Sequence, residues 1–515
     1  MQFINFLIAI SPIAVVMVGI LAFKQSAKRM APLALLWTVF LALTWFNVQG
    51  LSFKENVTAM DAQLWKGLKE GFKIVVMVFG AFVILNTLKR TGAIEDVKNT
   101  IARVSGKDRR VQLIIIGMFV PIFLEGAAGA GAPAAIAAPF LVALGFDPIT
   151  AIVVALLGDA TPCSWGGAGL TTIMGGARLV EQGLSTAALN SAMVGRIHMF
   201  GALIIPFIIV GLAFGRKGYK GVVPYLCYAG VTCGGVMFGL SNYVGPEVTS
   251  MGTGLISIVL SVFYVKHVKI DTPEEFRYQT SASHERKYSA FRAMSPYIYM
   301  LVMLPVVRYG VPAVWGPKGF AWLCTYGYIF WVDCVIFVCG LLGAATLGIK
   351  FSQLVEVFVK TAKNVFPVLI TMGSLLVVAY IMQSPHTKMM SLIAGDIAGA
   401  AGRLYPAAAV FIGSLGSFIT GTGLGSNIMF ADMHTQAAAA LGMNPITVFA
   451  GQNAGGSLGN LICPNNIVAA CATVNEVGHE SKVLRKALVA FIIVLTTYMV
   501  LATVYTIVLF PNFGK

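Results

Sequence analysis

Two acidic residues lie within apolar sequence, where their side chains could carry protons. Glu125 belongs to the run FLEGAAGAGAP (123–133), and Asp159 belongs to GDATP (158–162). An ionisable side chain in such surroundings is costly, which makes it a functional candidate by default. Burial disfavours its charged form and would suit a group that binds and releases a proton. The alternative for both residues is a structural carboxylate that caps backbone N–H groups.

Two basic residues are further candidates. His434 follows a later Gly-rich stretch and could relay protons. The more common alternative is an interior histidine that only forms structural hydrogen bonds with its neighbours. Arg196, in MVGR (193–196), stands at the start of an apolar run. Its planar guanidinium could hold a substrate carboxylate or pair with Glu125 or Asp159. The alternative is an interfacial arginine whose long side chain reaches the membrane surface.

Breaks in apolar helices could bind a small anion. The segment 123–169 is too apolar for a soluble surface and too rich in Gly and Pro for one uninterrupted helix. Broken helices expose backbone N–H donors, and the partial positive charge of a helix N-terminus suits a carboxylate. The alternative is that the polar groups at the breaks bind no ligand and only form hydrogen bonds with the freed backbone groups. The candidate substrate-binding residues at such breaks are Gly126, Gly129, Gly131, Thr422, Ser426, Asn427, Asn453 and Ser457.

An internal repeat relates this segment to a second one. LGFDPIT (144–150) is echoed by LGMNPIT (441–447), and each echo lies between two Gly-rich breaks. We call 123–169 the first broken segment and 418–466 the second broken segment. The first contains the acids, whereas the second contains mostly neutral hydrogen-bonding side chains.

The loops that precede the two segments differ in charge. Residues 89–110 carry seven Lys or Arg against three acids, whereas 384–404 contain only Lys388 and Arg403 as basic residues. Lys and Arg concentrate in cytoplasmic loops, so the two copies are predicted to be inverted in the membrane. Interrupted helices at matching positions of inverted repeats point to the binding site of a secondary transporter. Gly-rich helix-packing faces are the alternative.

Composition assigns the class. Of 515 residues, 57% are apolar and 11% are charged, and many apolar runs reach about 20 residues, the length that crosses a bilayer. The fold class predicted is an all-α polytopic membrane protein with about 12 to 14 passes and two inverted repeats that contain discontinuous helices or hairpins. The net charge of +15 comes from loops between apolar runs, which argues against a nucleic-acid partner.

Cofactors and cleaved segments are not indicated. The eight cysteines lie mostly in apolar runs without CxxC spacing, and no His/Cys cluster suggests a metal, so we expect neither a metal nor a cofactor. The first apolar run, 3–23, has no basic region before it and is predicted to be a membrane helix rather than a signal peptide.

The chain order predicts a division into five regions. Residues 51–70 are expected to form an amphipathic connection, followed by a span over 72–88. The regions are N-terminal spans (1–65), the first repeat (66–214), scaffold spans with a cytoplasmic linker at 266–292 (215–350), the second repeat (351–486) and a last span (487–515).

Seven sequence patterns resemble the lactate permease family. Two are the acid-bearing patterns FLEGAAGAGAP and GDATP given above. The others are LVALGFDP (141–148), MVGR (193–196), VGPE (244–247), FITGTGLGSNIMF (418–430) and LICPNNIVAACATVNEVGHES (461–481). They occur in family order across roughly residues 70–490. The resemblance implies a permease of the cytoplasmic membrane for lactate and glycolate, by proton symport, within a larger grouping of transporters with inverted repeats and paired hairpins.

Two departures bear on the substrate and the coupling ion. The second broken segment reads GTGLGSN where the family has a more polar GSDTSSN-like run, and Asp159 stands where the family usually has Asn. One break has therefore lost an acid and another has gained one.

We therefore predict a secondary transporter, not an enzyme, that takes up small 2-hydroxy-monocarboxylates with protons by alternating access. The expected partners are the carboxylate, a proton and the lipid bilayer, and a homo-oligomer is compatible with the sequence. A sodium-coupled dicarboxylate or other organic-anion carrier is the alternative, because unwound carbonyls with Asn, Ser and Thr suit sodium. A different class, an intramembrane enzyme or a channel, is less favoured. The sequence has no HExxH motif, and a channel more often arises from symmetric subunits around one pore than from an inverted repeat.

Overall fold

The computed structural model describes residues 2–23, 25–46, 52–104, 106–128, 132–278, 287–311, 313–316 and 332–514. Within these residues the fold is helical, with one isolated β-bridge between Asp108 and Arg277. The helices of the first half are α1 (Gln2–Leu21), α2 (Ala27–Thr44), α3 (Phe53–Thr91), α4 (Ala93–Val104), α5 (Arg109–Ile114), α6 (Val120–Ala128), α7 (Ala132–Ala143), α8 (Pro148–Ala160), α9 (Gly166–Gly175), α10 (Ala177–Glu181), α11 (Ala187–Phe214), α12 (Val223–Tyr243) and α13 (Pro246–His267).

The second half continues in the same way. Its helices are α14 (Ala290–Pro305), α15 (Val332–Thr346), α16 (Phe351–Gln383), α17 (Met389–Ala401), α18 (Tyr405–Thr420), α19 (Gly423–Ala440), α20 (Pro445–Gly459), α21 (Pro464–Thr473) and α22 (Glu480–Val504). Short π or 3-10 turns connect or extend several of them, including Ile115–Phe119 between α5 and α6 and Pro162–Trp165 between α8 and α9.

Seven helical stretches among the described residues are long and apolar enough to cross a membrane. They are Phe3–Ile20, Ala27–Thr44, Ala187–Tyr219, Val223–Tyr243, Pro246–His267, Met389–Thr420 and Glu480–Leu509. The protein is therefore an all-helical, multi-pass membrane protein. The predicted total of about 12 to 14 passes stays a prediction, because shorter apolar helices such as Pro148–Ala160 are not among the seven.

The sequence predicted a connection at 51–70 followed by a separate span at 72–88, whereas the structure has a single helix, α3, across both. It is one continuous helix of 39 residues, so the domain boundary predicted at residues 65 and 66 falls inside it. Both ends have strong signals: Ser52 and Glu55 form a capping box at the start, and Gly92 ends the helix with a φ of 77°. Since no proline interrupts the helix, the change from polar to apolar sequence is not a break. The predicted scaffold region 215–350 lies partly outside the described residues.

A buried ion pair anchors the start of α5 to the predicted linker and a neighbouring loop. Arg110 donates to Asp108 through Nε (3.0 Å to Oδ1) and Nη2 (2.6 Å to Oδ2). Its Nη1 donates to the carbonyls of Gly218 and Lys220, and Thr272 Oγ1 donates to Asp108 at 2.8 Å. Because both charged groups are buried and hydrogen-bonded, the pair fixes the polypeptide at this point.

A helical hairpin leads into the second broken segment. Helices α18 and α19 run antiparallel: Tyr405 OH lies 2.7 Å from His434 Nδ1 at one end, and Ser426 Oγ donates to Gly413 O nearer the other. The hairpin tip is Gly421–Thr422. Gly421 has a φ of 77°, which ends α18 in the left-handed region, and Thr422 accepts from Gly425 N to start α19.

Each broken segment has a close helix contact at the same position of the repeat. A Cβ at Gly158 in α8 would collide with the carbonyl oxygen of Gly117, and a Cβ at Gly455 in α20 would collide with that of Val410. Only glycine allows backbones to approach this closely. Both glycines stand 11 residues after Asp147 and Asn444, the residues that cap the starts of α8 and α20.

The cap of α8 has an electrostatic component. Asp147 accepts from Thr150 N at 2.8 Å and from Thr150 Oγ1 at 2.7 Å. Burial raises the pKa of Asp147, but the hydrogen bonds from Thr150 and the positive charges of Lys486 and Lys482 outweigh it, so the pKa lies below its ordinary value. The charged form of Asp147 thus supports the start of the helix that leads to the first break.

Candidate functional site

The two broken segments touch at equivalent positions of the repeat. Leu144 and Leu441, the first residues of the two echoes, are 297 positions apart, and two hydrogen bonds join residues with that same separation. Ser457 Oγ donates to Ala160 O, and Asn460 Nδ2 lies 2.7 Å from Cys163 Sγ. Contact between equivalent positions is what a two-fold relation produces near its axis.

Ser164 is a centre of contact between the segments. Its backbone N donates to Ser457 Oγ at 3.2 Å, and its Oγ donates to Asn453 O at 3.3 Å. Thr172 Oγ1 donates to Ser164 O at 2.6 Å and accepts from Asn453 Nδ2 at 2.8 Å. All four side chains are fully buried, and contacts with the opposite repeat satisfy several of their polar groups, whereas Asn453 Oδ1 receives no hydrogen bond within the described residues.

The two acids lie side by side at the first break. Glu125 and Asp159 are both fully buried, and their carboxyl groups are immediate neighbours. The Cys163 thiol is close to both carboxyls. A Cβ at Gly166 would collide with Glu125 Oε1, so α9 can begin against this carboxylate only because residue 166 is glycine. Through Cys163 the acidic pair adjoins Asn460 of the second broken segment.

Asn427 and Ser426 join the hairpin to the same network. Asn427 Nδ2 donates to Thr171 O of α9, just after the first broken segment, at 3.2 Å. Gln452 Nε2 donates to Ser426 Oγ at 3.0 Å and to Asn427 Oδ1 at 3.4 Å. The side chains of Ser426, Asn427, Asn453 and Ser457, all predicted from the sequence, therefore lie in one buried network.

Two buried histidines extend this network in different directions. His434 Nε2 lies 2.7 Å from Gln452 Oε1, and its Nδ1 lies 2.7 Å from Tyr405 OH. An amide oxygen only accepts, so Nε2 carries the proton and Nδ1 accepts from the tyrosine. His198 Nε2 lies 2.7 Å from Ser164 Oγ, and its Nδ1 lies 2.9 Å from Tyr498 OH.

The structure places the other predicted site residues elsewhere. Gly126 is in the last turn of α6, where a Cβ would collide with the backbone of Met251, so it packs helices rather than opening a helix N-terminus. Thr422 caps α19 at the hairpin tip. Gly129 and Gly131 lie outside the described residues.

Arg196 is not brought to the acids. Its guanidinium contacts Asn242 Oδ1, donates to Ala192 O at 2.7 Å, and lies over the rings of Phe238 and Phe513. The suggested pairing of Arg196 with Glu125 or Asp159 is therefore not formed in this structure, and its contact with a substrate carboxylate stays a prediction. Along α11 it is His198, two residues further on, that faces the network.

Sequence reasoning assigned no role to His198, Tyr498, Thr172 or Gln452. A signal for His198 was present, because it is an ionisable residue inside the apolar run of α11. Nothing local marks Tyr498, whose partner His198 is 300 positions away. Cys163 and Asn460 could have been paired by applying the 297-residue offset of the repeat.

Comparison with known proteins identifies the family of this chain. The family model for L-lactate permease matches residues 5–316 and 317–510. An L-lactate permease of Salmonella typhimurium (strain LT2) is 28% identical over 87% of this chain and 87% of its own length. The glycolate permease GlcA of Escherichia coli (strain K12) is 25% identical over 93% of this chain and 91% of its own.

Among solved structures, the YdaH transporter of Alcanivorax borkumensis aligns with a TM-score of 0.39 and 14% identity, over 92% of this chain and 98% of its own. The family match and the seven apolar helices together make this a multi-pass protein of the cytoplasmic membrane. The chain belongs to the L-lactate permease family.

Proposed function

We propose that this protein takes up a small 2-hydroxy-monocarboxylate, lactate or glycolate, together with a proton by alternating access. The curated relatives named above are lactate and glycolate permeases, which supports this substrate class. The observation that carries the proposal is the buried pair Glu125 and Asp159, placed where the two broken segments meet. Candidate substrate ligands remain the polar side chains of the second segment, above all Ser426, Asn427, Asn453 and Ser457.

The acidic pair suits proton coupling. Two carboxylates that adjoin each other away from water cannot both be charged without a large electrostatic cost, so the pair holds a proton that either oxygen can carry. Release of that proton would leave two adjacent negative charges beside Cys163 and its neighbour Asn460. The protonation state would thereby change the contact between the two segments, which is what coupling of a proton to a conformational step needs.

An inverted repeat is the arrangement we infer for the two segments. Helices α8 and α20 begin with equivalent caps and meet near their C-terminal ends, at Ala160 and Ser457. Two half-helices that meet end to end near a two-fold axis enter the membrane from opposite sides, and their junction then lies near the midplane. Such a junction is where alternating access exposes one site to either side in turn.

Uptake into proteoliposomes tests the proposal. Purified protein should concentrate labelled lactate when the lumen is alkaline, and replacing sodium by choline should change nothing. Glu125→Gln and Asp159→Asn should lose concentrative uptake while lactate counterflow, which needs no net proton movement, persists. Glu181→Gln is the matched control, because that carboxylate is exposed and pairs with Arg178 three residues earlier in the chain.

Other outcomes would change the assignment. Lactate accumulation that requires sodium would favour the alternative carrier, whose sodium ion could bind the neutral Asn, Ser and Thr oxygens of the second segment. Wild-type protein that concentrates neither lactate nor glycolate under any gradient would refute the proposed substrate class. If Glu125→Gln and Asp159→Asn both behave like Glu181→Gln, the acids are structural.

A further inference from the structure

A small cavity lies beside the second broken segment. It has a volume of about 30 Å³ and lies between α1, α16, the end of α18 and the start of α21. One wall consists of apolar side chains outside the two broken segments: Pro12, Ile13, Val16, Leu375, Val378 and Met382. The opposite wall is Phe418, Ile419, Pro464 and Asn465, which belong to the second broken segment.

Asn465 provides the polar group of this cavity. The residue is only 3% exposed, and within the described part of the chain its side-chain oxygen, Oδ1, receives no hydrogen bond. Its Nδ2 faces the hairpin tip, since a Cβ at Gly421 would lie 3.1 Å from that nitrogen. A buried amide oxygen without a donor is unfavourable, so Asn465 presents an acceptor that a ligand hydroxyl could satisfy.

The size of the cavity limits what it can hold. A single water needs roughly 10 to 15 Å³ of such volume, so the space accommodates about two groups of the size of water, such as one methyl and one hydroxyl. The apolar wall suits the methyl, and Asn465 Oδ1 suits the hydroxyl as a donor. An ethyl or longer chain would require the wall residues to move.

We propose that this cavity is the subsite for the 2-hydroxyl and the alkyl group of the transported carboxylate, with Asn465 Oδ1 accepting the hydroxyl proton. This inference rests on the proposed function and adds a specificity-determining residue to it. The subsite favours 2-hydroxy acids over 2-oxo acids and unsubstituted acids, because only a hydroxyl donates to an amide oxygen. It favours lactate over glycolate by about fourfold, the value of one buried methyl group, and it disfavours 2-hydroxybutyrate.

The position of the cavity suits a ligand that takes part in a transport cycle. Helices α1 and α16 lie outside both broken segments, whereas Phe418 and Asn465 flank the second break. A ligand in this cavity therefore contacts the broken segment and the helices beside it at the same time. In the Ser164–Ser457 network, by contrast, the two serines already bond to the opposite segment, although Asn453 Oδ1 beside them receives no hydrogen bond within the described residues.

Competition against lactate uptake in proteoliposomes tests the role of Asn465. For the wild type we expect lactate to bind at least about fivefold better than propionate, its analogue without the hydroxyl, as one buried hydrogen bond implies. Asn465→Leu, which keeps the size but removes the acceptor, should abolish this difference while inhibition by propionate stays the same. A wild type that does not distinguish lactate from propionate, or prefers pyruvate to lactate, would overturn the assignment.

Two substitutions of opposite sense test the apolar wall. Val16→Phe should fill the cavity and reverse the preference to glycolate over lactate, whereas Val18→Phe, on the exposed side of the same helix, should leave it unchanged. Val378→Ala should enlarge the cavity and improve inhibition by 2-hydroxybutyrate. If the wild type concentrates lactate but neither substitution changes the ranking of the acids, the subsite is wrong and the proposed function stands. A wild type that transports no lactate refutes the proposed function itself.

Discussion

Ser457→Ala tests whether the contact between the two broken segments holds the protein together. Ser457 Oγ accepts from Ser164 N at 3.2 Å and donates its proton to Ala160 O, with Thr161 O 3.2 Å away as a second acceptor. Two hydrogen bonds across the contact are lost at once. At roughly 0.5–1.5 kcal/mol for each, the free energy of unfolding should fall by about 1–3 kcal/mol.

The matched control is Ser295→Ala. Ser295 is also fully buried, but its hydroxyl donates to Arg292 O within its own helix α14. Such a bond from a hydroxyl to a carbonyl one turn earlier adds little to stability, so its loss should cost less than about 0.5 kcal/mol. Each variant lacks one oxygen atom of the wild type. The difference between them therefore measures what hydrogen bonds between the two segments contribute beyond a bond within one helix.

Equilibrium unfolding by SDS in mixed micelles measures the difference, and lactate counterflow measures its functional consequence. Ser457→Ala should unfold at lower SDS than Ser295→Ala and should slow counterflow, because Ser164 N and Ala160 O are left without their partner at the junction. Equal midpoints and equal counterflow for the two variants would refute the idea that this junction is a stabilising contact.

Three further predictions concern packing and charge. Gly455→Ala places a Cβ against a backbone carbonyl and should prevent stable folding, whereas Gly399→Ala, which has open space, should fold normally; yield of monodisperse protein measures both. Asp147→Asn keeps the cap but removes the charge, so wild type should be more stable by up to about 1 kcal/mol. Folding lowers the pKa of Asp147, so this difference in stability is fully present above about pH 4. It disappears as the pH falls through the lower pKa of the folded state. Unfolding of both proteins at pH 7, 4 and 3 measures the change. Arg110→Met leaves Asp108 buried without its partner and should cost about 3–5 kcal/mol in SDS unfolding, and adding Asp108→Leu should recover part of that loss.

The class of protein and its family follow from the sequence alone. Apolar runs of bilayer length admit only a helical membrane protein, because every backbone polar group must be paired within the segment. The seven spans and the family match confirm that interpretation. Local residues also account for where single helices begin. Asp147 before Pro148 and Asn444 before Pro445 start helices α8 and α20, because each pair combines a capping side chain with a proline in the first turn.

Helix boundaries were less accurate where no local residue enforces them. The predicted connection at 51–70 is part of α3, since strong caps at Ser52 and Gly92 define one long helix regardless of its change in polarity. Gly126 was expected to open a helix N-terminus, yet it lies inside α6 because its missing side chain is needed for the approach to Met251. A glycine that breaks a helix and a glycine that packs one look the same in sequence.

By itself the sequence determined which side chains are costly in a membrane and that two copies of one motif exist. It identified Glu125 and Asp159 as unusual, because the cost of an ionisable group in apolar surroundings can be read residue by residue. Only the tertiary structure decided which of these groups meet. Asp159 adjoins Glu125, Arg196 turns to Asn242, and His198 reaches Ser164 instead. These choices depend on the rotation of each helix about its axis, which packing across hundreds of residues fixes and which no local pattern encodes.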